Sequence, residues 1–138
     1  MGIEYESVVD HPIAEVFAWH TRPGAMTRLV PPWQPMKVVA ETQSLAGGRA
    51  VLSLPGGLRW VAQHDPSAFD PPHRFVDVLS SEGPMSWPAR VIGWWRHTHE
   101  FSEVSSGTRV CDHVDASVPA PDFRLPPSPA RRRSGRTP

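Results

Sequence analysis

Two imidazoles stand two residues apart in Trp95-Arg96-His97-Thr98-His99-Glu100-Phe101. Successive side chains of a β-strand point to opposite faces. Trp95, His97, His99 and Phe101 therefore share one face, and Arg96, Thr98 and Glu100 share the other. A hairpin turn near Ser105-Ser106-Gly107 pairs Phe101 with Val110, His99 with Asp112, and His97 with Val114. The facing strand then turns Val110, Asp112, Val114 and Ala116 inward, and Arg109, Cys111, His113 and Asp115 outward. Asp112 sits across from His99. A carboxylate that orients a histidine is a general-base arrangement. The same pair can equally satisfy a buried imidazole N–H and fix its tautomer. Metal ligation would need a third ligand from Asp112 or from His64, which has the inward parity of its own strand, and no Cys or Glu cluster joins them. The expectation is a hydrogen-bonded histidine pair, with no metal and no cofactor.

The elements that must hold these residues follow from periodicity. Ile3 to Val9 alternates as a half-buried strand, with Ile3, Tyr5 and Val9 on one face. Asp10-His11-Pro12 reads as a helix start, with Asp10 as the capping carboxylate. Ile13, Val16, Phe17 and His20 recur at helical spacing. Arg22-Pro23-Gly24 breaks that helix, and Ala25 to Val30 supplies one more short helical turn before Pro31-Pro32. Strands follow at Met36–Glu41, Arg49–Leu54, Leu58–His64 and Arg74–Leu79, then within Ser86–Phe101, and last at Thr108–Val118. Pro55-Gly56-Gly57 marks a hairpin that pairs Leu52 with Trp60 and Ala50 with Ala62 on one buried side. Gly56 and Gly57 lead into no helix, so they are turn residues and not a phosphate loop. The class is α+β, with one curved antiparallel sheet and two short N-terminal helices.

Composition narrows the function classes. The 138 residues suffice for one hydrophobic core. The chain has no basic stripe for nucleic acid and no apolar run long enough to span a bilayer. Its start, Met1 to Asp10, lacks a signal pattern. A single cysteine, Cys111, excludes an intrachain disulfide and fits a reducing cytoplasm, so a cytoplasmic location is expected. Cys111 points outward with only His113 nearby, and reactivity is not expected. The last twenty residues hold six prolines and five arginines, including Arg131-Arg132-Arg133. No helix runs through such a stretch.

The ordered motifs Val8-Val9-Asp10-x-Pro12-x-x-Glu15-Val16-Phe17-x-Trp19-His20, Arg22-Pro23-Gly24, Pro31-Pro32-Trp33, Leu54 to Trp60, Pro71 to Asp77 and Trp95 to Phe101 resemble the SRPBCC (START-like, polyketide cyclase/dehydrase-like) superfamily. More closely, they look like the SRPBCC domain that precedes an NAD-dependent epimerase domain in a group of actinobacterial fusion proteins. The resemblance covers about residues 3 to 118. It implies a helix-grip fold, in which the sheet wraps a long C-terminal helix around a hydrophobic cavity. That helix is missing from the sequence after Val118. One choice of codons for Phe123 to Ser134, read one base later, encodes FAYRHRQLAGD, which suits such a helix. The expectation is an incomplete SRPBCC domain over 1–118, truncated or frameshifted near 119–123, with a disordered Pro/Arg-rich tail over 119–138. A natural disordered tail is the alternative.

The expected function is binding of a small hydrophobic molecule, or an accessory role beside an epimerase domain, without chemistry of its own. Tyr5, Trp60, Trp95, His97, His99, Phe101 and Asp112 are the expected ligand-binding residues. One alternative is a cyclase or dehydratase-like enzyme with His99 and Asp112 as the catalytic pair. The other is a truncated, inactive product. Trp33 packs a loop or guards the cavity mouth, and Trp94 faces outward.

Overall fold

The computed structural model describes residues 2–29, 35–41 and 44–117. The strands are β1 (Gly2–Val9), β2 (Lys37–Ala40), β3 (Arg49–Ser53), β4 (Arg59–His64), β5 (Arg74–Ser80), β6 (Trp94–Val104) and β7 (Gly107–Ser117). The helices are α1 (Ile13–Thr21), α2 (Ala25–Leu29) and α3 (Pro88–Ile92). All seven strands form one antiparallel sheet in the order β1-β7-β6-β5-β4-β3-β2. Both hairpin registers expected from the sequence are present, Leu52 with Trp60 and His99 with Asp112. Short turns set them: Pro55–Gly57 forms a 3-10 turn, and Ser105-Ser106 closes the β6–β7 hairpin.

α1 lies across the concave face. Its spacing buries Ile13, Val16 and Phe17 against Phe75, Phe101 and Val110 of the sheet and Leu45 of the β2–β3 connection. Phe17 meets Phe69, Phe75 and Phe101 at ring-centroid distances of 6.1, 6.0 and 5.4 Å. The start of α1 differs from expectation. Pro12, not Asp10, is the residue flanking the helix, and no side chain caps it. The Pro12 carbonyl accepts from the amides of Glu15 and Val16, and the rigid ring holds the extended entry conformation. α2 is tied down by Glu41, whose carboxylate accepts from the amides of Gly24 and Thr27 at 2.6 and 3.1 Å.

Part of the stretch read from sequence as leading into the histidine strand is helical. Pro88 opens the one-turn helix α3, and Gly93, at φ 85° and ψ −85°, stops it before β6 begins. The sheet is not covered evenly. Ile3 and Tyr5 of β1 lie opposite Val114 and Asp112, on the inner face by register, yet each is 66% exposed. The long C-terminal helix judged missing and the Pro/Arg-rich tail concern residues 119–138, which are outside the described residues, as are Trp33 and Val118.

Two substitutions test this packing. Phe17→Ala should lower unfolding free energy by about 3–5 kcal/mol in urea titrations, since a buried aromatic contacting three others leaves a cavity. Gly107, at φ 140°, sits where a Cβ would run into the Val9 carbonyl. Gly107→Ala should therefore melt well below the wild type, whereas Gly56→Ala, with open space around it, should lose much less.

Candidate functional site

Register assembles the site. One row on the inner face runs Val114, His97, Asp77 and His64 across β7, β6, β5 and β4. The next runs Tyr5, Asp112, His99 and Phe75 across β1, β7, β6 and β5. Directly opposed residues of antiparallel strands lie about 4.5–5.5 Å apart at Cα. Two carboxylates and three imidazoles are thus brought together on an otherwise apolar floor.

His99 is the hub. Its Nδ1 lies 2.6 Å from Asp112 Oδ1, and its Nε2 lies 3.3 Å from Asp77 Oδ2. His97 Nε2 reaches the same Asp112 oxygen at 3.2 Å. The His99 ring stacks on Phe75 at 4.2 Å and contacts the His97 ring at 3.8 Å. An ionised carboxylate only accepts, so two of them can both be satisfied by His99 only when both its nitrogens carry protons. Burial alone would lower the His99 pKa, but the hydrogen bonds and charges of Asp112 and Asp77 outweigh it and hold the pKa above its ordinary value. Burial would likewise raise Asp112, yet the hydrogen bonds from His97 and His99 pull its carboxyl well below the usual range.

The other two histidines on this side behave oppositely. His64 is 2% exposed, and neither ring nitrogen has a hydrogen-bond partner among the described residues. Burial lowers its pKa. The Asp77 charge and the Val76 carbonyl draw it the other way, the latter without hydrogen-bond geometry. His20 of α1 packs edge-on against Phe101 at 5.0 Å, with its Nδ1 2.8 Å from the Val16 carbonyl. Burial lowers its pKa as well.

Between the sheet and the α1–α2 corner lies a cavity of about 710 Å³. Leu52, Trp60, Phe69, Phe75 and Trp95 supply apolar wall, and His64, Asp77, His97 and His99 form a polar end. Trp60 and Trp95 meet edge to face at 5.2 Å. Helix and loop residues His20, Arg22, Met26 and Glu41 complete the lining.

Likeness to solved structures follows the same architecture. The chain aligns with the AHSA1-like protein from Aeromonas hydrophila at 16% identity and TM-score 0.58, over 85% of this chain and 76% of that one. Against Ara h 8.0201 the values are 17% and 0.54, over 92% and 83%. The chain has the SRPBCC/START-like helix-grip fold. It is also similar to the nucleoside-diphosphate sugar epimerase from Corynebacterium glutamicum, at 37% identity and TM-score 0.73 over 85% of this chain. The chain spans about a quarter of that protein's length, 25%. No family model matches the chain, and no curated protein does.

Of the residues singled out from sequence, this cavity takes in Trp60, Trp95, His97 and His99. Asp112 stands behind the two histidines, hydrogen-bonded to both. Phe101 is not on the wall; it is 3% exposed in the core under α1. Tyr5 is on the correct face but lies at the exposed β1 margin, away from the cavity lining. Asp77 was missed. Its signal was available: it is the lone acid in the inward alternation Phe75, Asp77, Leu79. Trp94 faces outward as expected, 51% exposed. Cys111 is half-buried, and burial together with Glu4, Glu6 and Glu100 raises its thiol pKa, which disfavours the reactive thiolate.

The opposed shifts give a pH signature. His99, raised in the fold from 6.5, stabilises the fold below that pH, and the contribution is lost as pH climbs through the folded-state pKa. Asp112, depressed from 3.8, contributes above that pH and loses its contribution as pH falls towards the folded-state pKa. In an NMR titration His99 should titrate above 6.5, and His20 and His64 below it. Asp112→Asn should bring the His99 midpoint down and shrink the alkaline loss of melting temperature. An unmoved midpoint would show that Asp112 does not hold the proton.

Proposed function

We propose that this domain binds a small, mainly apolar molecule in the cavity, with a polar group of the ligand directed at the histidine–aspartate end. The observation that carries this reading is the contrast within one cavity of about 710 Å³: tryptophan, phenylalanine and leucine walls, with His64, Asp77, His97 and His99 converging from neighbouring strands and His20, Arg22 and Glu41 on the helix and loop side. Small-molecule sites occupy about 300–1,000 Å³, are mostly apolar and orient their ligands through a few convergent polar groups. Trp60, Trp95, His97 and His99 are the ligand-contacting residues in this reading, and Asp112 acts by holding the two imidazoles. Tyr5 and Phe101, expected from sequence to join them, have no place in it.

A catalytic cyclase-type role for His99 and Asp112 draws less support. Both His99 nitrogens are engaged with carboxylates, which leaves neither of them directed at a substrate as a general base. An accessory role beside an epimerase domain is supported by the likeness to the Corynebacterium glutamicum protein, of which this chain spans 25%.

Native mass spectrometry of protein purified from cells should reveal a co-purifying apolar ligand. Nile red titration offers a second readout. Trp60→Ala, which opens the wall, should weaken dye binding roughly tenfold or more, equivalent to about 1.4 kcal/mol. Trp94→Ala, on the outer face, should leave it unchanged. Equal losses in both variants would overturn a cavity-specific reading.

A further inference from the structure

We propose that Asp77, His97 and His99 form a binding site for a divalent transition-metal cation of the zinc type at the polar end of the cavity. Asp77, His97 and His99 each bring one ligand atom within 4.8 Å of the others. Two imidazoles and one carboxylate are a donor set that suits zinc and its neighbours. The residues come from adjacent strands in a rigid sheet, with Asp77 directly opposite His97, so no loop must close to bring them together.

Three further features fit a cation there. Metal-bound histidines characteristically donate their second ring N–H to a carboxylate, which fixes the tautomer and aims the other nitrogen at the metal. Asp112 holds His99 Nδ1 at 2.6 Å and leaves Nε2 facing Asp77 across 3.3 Å. A cation bound between Nε2 and the Asp77 carboxylate would take the place of the proton now shared there, and that proton would be released to solvent. Charge also balances, since a dication neutralises Asp77 and Asp112 while His97 and His99 ligate as neutral rings. The independent observation is His64. It is 2% exposed, lines the same cavity opposite Asp77, and has no hydrogen-bond partner for either ring nitrogen among the described residues. A buried donor or acceptor left unpaired is destabilising. A water completing the metal's coordination on the cavity side would give His64 the hydrogen bond it lacks.

The metal site shares His97 and His99 with the proposed ligand-binding cavity, and its test uses the cation alone. Chelator-stripped full-length protein titrated with Zn2+ by calorimetry should bind one ion per chain. His97→Ala and Asp77→Asn should each weaken binding by roughly 100-fold or more, and Asp112→Asn by roughly 10–100-fold. His113→Ala removes the imidazole between Glu4 and Asp115 on the outer face and should change nothing at the cavity. Because a cavity variant can lose its fold, the wild type is also loaded with Co2+. The expected result is the intense visible absorption of four- or five-coordinate Co2+, with paramagnetically shifted ring protons of His97 and His99. No stoichiometric binding, a spectrum like that of aqueous Co2+, or affinity lost in His113→Ala and kept in His97→Ala would overturn the proposal. Nile red binding that persists or fails in the same samples reports separately on the apolar-ligand reading.

Discussion

The placement of His99 between Asp112 and Asp77 is the constraint on which the concave face depends. A carboxylate withdrawn from water without a partner costs several kcal/mol, and breaking one half of a buried pair leaves that cost exposed. Here two carboxylates converge on one imidazole and hold its pKa up, with His97 donating a further hydrogen bond to Asp112. Phe75 stacks on the His99 ring and the His97 ring packs beside it, so Asp77 is buried while the Asp112 side chain remains 31% exposed. The surrounding walls can therefore remain apolar. Were the buried Asp77 unmatched, its charge would draw water into this part of the cavity, which would suit apolar surface less well.

The same constraint explains what could be read from the sequence. The β6–β7 and β3–β4 registers were legible because a short turn fixes pairing, and a one-residue slip would send every inward side chain to solvent. Asp112 opposite His99 followed directly from this. Asp77 did not, because β5 and β6 are joined through a long connection that contains α3, and no turn signal sets their register. His64 was recognised by parity alone, and its position opposite Asp77 needed that same pairing. The start of α1 shows a different limit. Asp10 and Pro12 both carry helix-start signals, and the rigid proline took the flanking position.

Residues that share a face need not share an environment, which is why Tyr5, Trp95 and Phe101 separated. All three have inward parity. Phe101 lies under α1 and becomes core, Trp95 lies beyond the helix and becomes cavity wall, and Tyr5 is on the β1 margin and remains exposed. Parity reports the side of the sheet. Which helix stands over a given position depends on the direction in which α1 leaves β1, and that direction is set by tertiary packing of Phe17 among Phe69, Phe75 and Phe101. No local pattern encodes it.

The aromatic cluster and the polar cluster are consequently two ends of one device. Phe75 belongs to both: its ring packs against Phe17 in the core and stacks on His99 in the cavity. Movement of α1 would therefore be felt at His99 through a single side chain. His64 sits at the same junction, edge-on to Phe75 at 6.0 Å and opposite Asp77. Among the described residues its two nitrogens have no partner, which is destabilising, and a polar group arriving in the cavity would reverse that term. A fold that carries such an unmet need in its floor holds part of its binding free energy in advance, at a position where the strands, and not the loops, define the geometry.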